Sequence, residues 1–133
     1  MSLRLPRDFA DRIVDQARSE HPNEACGLLA GADGTATKLF AMTNAERSPV
    51  IYRIDPKEQL RVFNEIEDGG LQLVGIYHSH TRSAAYPSDT DVRQAYYPDA
   101  VYLIVSLADT NAPDLRGYRI NDGKVTEVEL ELT

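Results

Sequence analysis

Hydrophobic and polar positions along this 133-residue chain change period several times, and each change predicts an element. Phe9, Ile13, Val14 and Ala17 recur at helical spacing after Pro6, with Asp8 and Asp11 in the first turn and Arg18 in the last, which predicts an amphipathic helix with a complemented macrodipole. Residues 24–31 form a short apolar run closed by glycine and residues 35–42 a second, joined through Ala32-Asp33-Gly34. That pattern predicts a β-hairpin. After the polar loop 44–49, residues 50–54 read as a strand. Asp55 then caps a helix with Pro56 at its first position, Leu60, Val62, Phe63 and Ile66 as the buried stripe, and Gly69-Gly70 as its end.

The apolar run 71–76 leads into a strand in which Val74, Ile76, His78 and His80 share one face. Residues 81–87 are small, polar and closed by proline, hence a loop. Ser88-Asp89-Thr90-Asp91 opens a helix with Val92, Ala95 and Tyr96 at helical spacing, running to Tyr97 and stopped by Pro98. Residues 100–107, rich in Val, Ile and Tyr, predict a central buried strand. Residues 115–120 and 125–132 flank the turn signal Asn121-Asp122-Gly123, and Val128, Leu130 and Leu132 alternate with Glu127, Glu129 and Glu131.

Length and composition narrow the class. A chain of 133 residues is long enough for one core and too short for two, so residues 1–133 are expected to be a single domain. Acidic residues outnumber basic ones by 21 to 14, and the formal charge of -7 excludes a general grip on nucleic acid or on anionic membranes. The first residues hold no apolar signal region and the longest apolar run, 100–105, is far short of a membrane span. A cytoplasmic protein is expected. The single cysteine, Cys26, excludes an intrachain disulfide.

Candidate chemistry clusters late in the chain. His78 and His80 point the same way from one strand, and with Asp91 they would give a divalent metal three protein ligands and an open fourth position. The competing reading is two half-buried histidines with ordinary hydrogen bonds, and a capping box made by Ser88 and Asp91. Glu24, at the mouth of an apolar strand, is either a marker of where the strand leaves solvent or a general base whose pKa burial raises. Cys26 with His78 or His80 would form a thiol nucleophile, although a cysteine inside an apolar strand is more often a small buried hydrophobe. His21, before Pro22, reads as solvent-facing.

Glu24 before Ala-Cys-Gly-Leu-Leu, then His78-Ser79-His80, seven residues, Ser88, two residues and Asp91 together resemble the full signature of the JAMM (MPN+) zinc metalloprotease family, with no departure. The likeness extends through residues 21–24, 42–49, 86–88 and 118–120 to short bacterial members that release cysteine from the C-terminus of a sulfur-carrier protein. The resemblance implies an α+β fold, a mixed sheet flanked by helices of the cytidine-deaminase-like kind. It implies one Zn2+ per chain held by His78, His80 and Asp91, with Glu24 moving the proton and Ser88 donating to the oxyanion. It also implies a ubiquitin-like sulfur-carrier partner ending in Gly-Gly. Two alternatives stay open: processing of another ubiquitin-like protein, and a non-catalytic binding module. The chain has no room for the insertions with which eukaryotic members grip ubiquitin chains. Its oligomeric state stays open between monomer and homodimer.

Overall fold

A computed structural model describes residues 2–133. In chain order they form β1 (Ser2–Leu5), α1 (Arg7–Glu20), β2 (Cys26–Ala32), β3 (Thr35–Met42), α2 (Pro56–Asp68), β4 (Gln72–His80), α3 (Asp89–Arg93), β5 (Val101–Ser106), β6 (Asp114–Asn121) and β7 (Lys124–Leu132). The strands lie in the order β1-β3-β2-β4-β5-β6-β7, and β1 also pairs with β7, so the sheet closes on itself. It is mixed, as expected. β4 and β5 run parallel, as does β1 with both its neighbours, while the other pairs are antiparallel.

Two apolar layers follow from the strand alternation. Ala10, Ile13 and Ala17 of α1 pack with Leu3, Leu5, Leu29, Tyr77 and Leu103 on one face. Val62 and Ile66 of α2 pack with Leu28, Ile76, Tyr102 and Ile104 on the other. Every residue of β5 is buried, as a central strand between β4 and β6 requires. Both hairpins turn through two residues at positive φ, Asp33-Gly34 and Asp122-Gly123, the conformation that a two-residue turn matched to strand twist demands. No helix among the described residues is long and apolar enough to cross a membrane.

Several boundaries differ from the pattern. β1 is a strand too short to show a period, and it holds its place by parallel pairing of residues 2–5 with 129–132 of β7. Among the described residues, 50–54 belong to no strand: residue 50 lies in a bend, 51–53 are irregular, and Ile54 makes only a bridge to Asn44. The side chain of Asn44 replaces the missing ladder: its Nδ2 donates to the Ile51 carbonyl at 3.1 Å and its Oδ1 accepts from Arg53 N–H at 3.0 Å. Leu60 is 64% exposed, outside the α2 stripe, and Leu132 is 41% exposed at the end of β7. The helix after Ser88 stops at Arg93 instead of Tyr97, so Tyr96 is exposed while Ala95 and Tyr97 still pack on the core. In β4 the register shifts: Leu29 faces Gly75 and Ala30 faces Leu73. Val74 therefore falls out of alternation, and Leu73 takes its place in the layer of Ile76.

One buried contact locks β2 against β4. Gly27 faces Tyr77 in the register, and the Tyr77 ring lies where a Cβ on Gly27 would be, 2.1 Å from Cζ. The ring thus crosses β2 and its hydroxyl donates to Gln16 Oε1 on α1, whose Nε2 donates to the Cys26 carbonyl at 2.9 Å. Gly27→Ala is expected to destabilise the fold by about 3 kcal/mol, because neither strand backbone nor the tethered ring can yield. Adding Tyr77→Leu should recover part of the loss, and urea denaturation of the single and double variants checks the coupling.

Candidate metal centre

β4 ends in His78 and His80, which are 1% and 4% exposed. Their Nε2 atoms approach to 3.1 Å, and Oδ2 of Asp91 lies 3.2 Å from the first and 3.0 Å from the second. Three ligand atoms thus converge from one strand and one short helix. A tetrahedral ion with bonds of about 2.0–2.1 Å would set its ligands roughly 3.3 Å apart, so the trio needs only a slight expansion to hold one.

The surroundings orient each ligand. The Nδ1 of His80 is paired with the Ala84 carbonyl at 2.8 Å, which assigns the proton to Nδ1 and leaves Nε2 as a lone-pair donor. The His78 ring stacks on Tyr52 with centroids 4.3 Å apart and planes 18° from parallel. Asp91 is the third residue of α3, and its Oδ2 accepts the Ser88 backbone N–H at 2.9 Å while Ser88 Oγ accepts the Asp91 N–H at 3.1 Å. The capping box is therefore real. It is also what holds the carboxylate toward the imidazoles, so the capping and ligand readings of Asp91 describe one arrangement.

Glu24 arrives from the neighbouring strand. Cys26 faces His78, and the pairing runs on as Ala25 N–H donates to Ser79 Oγ at 2.7 Å and Ser79 N–H to the Ala25 carbonyl at 3.0 Å. The next step of that register sets Glu24 opposite His80. Its backbone is pinned by Ser48 and Asn44, through Glu24 N–H to the Ser48 carbonyl at 2.8 Å and Asn44 Nδ2 to the Glu24 carbonyl at 3.1 Å. Glu24 is 3% exposed, and its Oε1 has no hydrogen-bond partner among the described residues. With Ser88 and His80 it lines a cavity of about 270 Å³. His21, as expected, is exposed.

Burial pushes the Glu24 carboxyl up to about 8, the His80 charge opposing and the Asp91 charge reinforcing the shift. Burial lowers the His78 pKa. Burial acts the same way on His80, but its bonds to Asp91 and the Ala84 carbonyl outweigh it and the pKa rises. Burial would raise Asp91, yet its bonds to His78 and His80 hold it below the ordinary carboxylate range. The Cys26 thiol is driven by burial up to about 12, and its Sγ points to the Met42 carbonyl at 3.9 Å. A thiolate nucleophile is excluded by that environment.

Residues 6–121 match the family described as prokaryotic homologs of the JAB domain. The chain belongs to that family. It is 52% identical over 127 residues to a protein of Mycobacterium tuberculosis named CysO-cysteine peptidase, covering 94% of this chain and 87% of that one. It is 40% identical over 111 residues to a Haloferax volcanii protein named desampylase, covering 78% and 80%. A solution structure of a Desulfitobacterium hafniense protein superposes with a TM-score of 0.88 at 34% identity, covering 98% of this chain and 92% of that one. Within this JAB-type site, sequence reasoning missed Asn44, Ser79 and Tyr52. Their roles are contacts across distant segments, and only the polar Asn44 inside the 44–49 loop hinted at one.

The raised Glu24 pKa sets a pH signature for the metal-free chain. Below its ordinary value of 4.5 both folded and unfolded states hold the proton; between 4.5 and about 8 only the folded state does, so stability falls as pH rises. Metal-free Glu24→Gln should thus gain melting temperature over the parent chain, by a margin that widens from pH 5 to pH 8.5. Thermal melts in chelator at both pH values measure it, and a margin independent of pH contradicts the assignment.

Proposed function

We propose that this chain is a zinc-dependent peptidase that hydrolyses the bond after the C-terminal Gly-Gly of a ubiquitin-like sulfur-carrier protein and releases cysteine. The observation that carries the chemistry is a buried, unpaired carboxylate oxygen on Glu24 sharing one cavity with His80 and Ser88 beside three convergent ligand atoms. The name of the mycobacterial relative supports the substrate. The low pKa of Asp91 and the unprotonated Nε2 of His80 suit His78, His80 and Asp91 to hold a divalent cation. When bound there, zinc would supply a water acidified to a pKa of about 7 and polarise the scissile carbonyl.

The chain's own groups do the rest. Glu24 would be kept ionised near neutral pH by the charge of a cation held at the trio, which would oppose the burial penalty on its carboxyl. Its free Oε1 takes the proton of the attacking water and returns it to the leaving amine. Ser88 Oγ uses a lone pair for the Asp91 N–H, so its hydroxyl proton remains to donate to the oxyanion. Capping and catalysis coexist in one side chain. The Gly-Gly tail of the carrier has no side chains, which leaves it thin enough to lie beside the ligand trio. The reaction belongs in the cytoplasm, where Cys26 stays reduced.

Ser88→Gly separates the two duties. Glycine caps nearly as well, so stability should fall by only a few tenths of a kcal/mol, while kcat should fall roughly a hundredfold with the lost hydroxyl. Melting and rate on the same variant check this, and an unchanged kcat contradicts the oxyanion role.

The function itself is tested by mass spectrometry of a carrier–Gly-Gly–Cys conjugate incubated with zinc-loaded protein. The carrier should lose the mass of one cysteine residue, and lysine-linked ubiquitin dimers should stay intact. Glu24→Ala should keep its zinc and lose about 10²–10⁴ in rate. An unchanged carrier mass with the dimers cut instead would overturn the reading.

A further inference from the structure

The cavity shared by Glu24, His80 and Ser88 carries one further charged group. Arg82 lines it, two residues beyond His80, with Pro49 and Val50 along the wall. Arg82 is exposed, and among the described residues its side chain makes no hydrogen bond or ion pair. Arg53 and Arg116, by contrast, are each tied to acidic neighbours. An unengaged guanidinium inside the reaction cavity of a chain with net charge -7 calls for an anion.

The loop bearing Arg82 is held from several sides. Thr81 Oγ1 donates to the Pro49 carbonyl at 3.0 Å, and Ser106 Oγ to the Ser83 carbonyl at 2.6 Å. His80 Nδ1 and the Tyr118 hydroxyl take the next two carbonyls, of Ala84 and Ala85. Because the backbone is fixed on both sides of residue 82, the cation has a set origin relative to the ligand trio. At about 270 Å³ the cavity is below the roughly 300–1,000 Å³ of sites that enclose larger ligands, a size suited to a single amino acid.

Resting on the peptidase reading above, we infer that Arg82 is a specificity-determining residue that receives the α-carboxylate of the residue being released. A C-terminal carboxylate lies one residue, about 3.5 Å, beyond the carbon under attack, so it must sit in the same cavity as Glu24 and Ser88. The guanidinium fork matches its two oxygens. Cleavage is thereby directed to conjugates that carry one C-terminal residue with a free acid. An isopeptide or an extended peptide presents no carboxylate at that distance.

The test compares two conjugates on the zinc-loaded full chain, carrier–Gly-Gly–Cys as free acid and as C-terminal amide. Wild type should favour the acid by about tenfold in kcat/KM, the low end for a charge-assisted bond at an exposed arginine. In Arg82→Ala that ratio should collapse to near one, and Arg82→Lys should keep part of it, with melting temperatures confirming that both variants fold. Equal wild-type rates on acid and amide overturn this inference and leave the peptidase reading standing. So does an equal loss on both substrates in Arg82→Ala, which would assign Arg82 to the carrier's surface. Cleavage of neither conjugate by wild type overturns both.

Discussion

Two imidazoles at the buried end of a strand impose the constraint around which this molecule is built. With apolar layers on both faces of the sheet, His78 and His80 are almost wholly withdrawn from bulk solvent, and an unanswered polar group in such a place costs several kcal/mol. The answer comes from outside the strand: a loop leaves β4, turns over its end and starts α3 so that its third residue, Asp91, faces both rings. Charge, cap and loop anchors all serve that approach. The cost of the trio as bare protein is one that a bound cation would relieve.

The site was largely legible because its residues lie close in sequence and obey local rules. A period of two puts His78 and His80 on one face, and a helix start places Asp91 at its third position, so both statements needed only neighbouring residues. Glu24 was legible as a carboxylate at a strand mouth, but not its distance from the histidines. That depends on β2 running antiparallel to β4 in one register, a fact written in the contact between Gly27 and Tyr77, fifty residues apart. Sequence reasoning also treated the capping box and the ligand role of Asp91 as rivals, because either one alone explains the residue. In space one carboxylate oxygen, Oδ2, accepts the Ser88 N–H and also faces both imidazoles, so the two readings do not compete.

The errors in the fold have a shared cause. Residues 50–54 have strand composition, yet a side chain, Asn44, satisfies the backbone there instead of another strand. β1 is too short to display a period and exists through β7, at the far end of the chain. The bulge near Val74 and the early stop of α3 at Arg93 likewise depend on what packs against them. Periodicity reports the faces of elements long enough to repeat; it is silent where tertiary partners decide. Closure of the sheet was not visible for that reason, although it removes exposed strand edges from the fold.

The burial of Cys26 has a consequence under the proposed reaction. A chain that set cysteine free would work amid a small thiol that, once oxidised, exchanges disulfides with any reachable thiolate. Cys26 stands directly across from His78, where a mixed disulfide would wedge β2 from β4 and spread the three convergent side chains. With no exposed surface and a thiol that stays protonated at physiological pH, it offers neither access nor nucleophile. The strand keeps a small, fully buried side chain there, and with the proposed function the chain would be chemically deaf to the compound it releases.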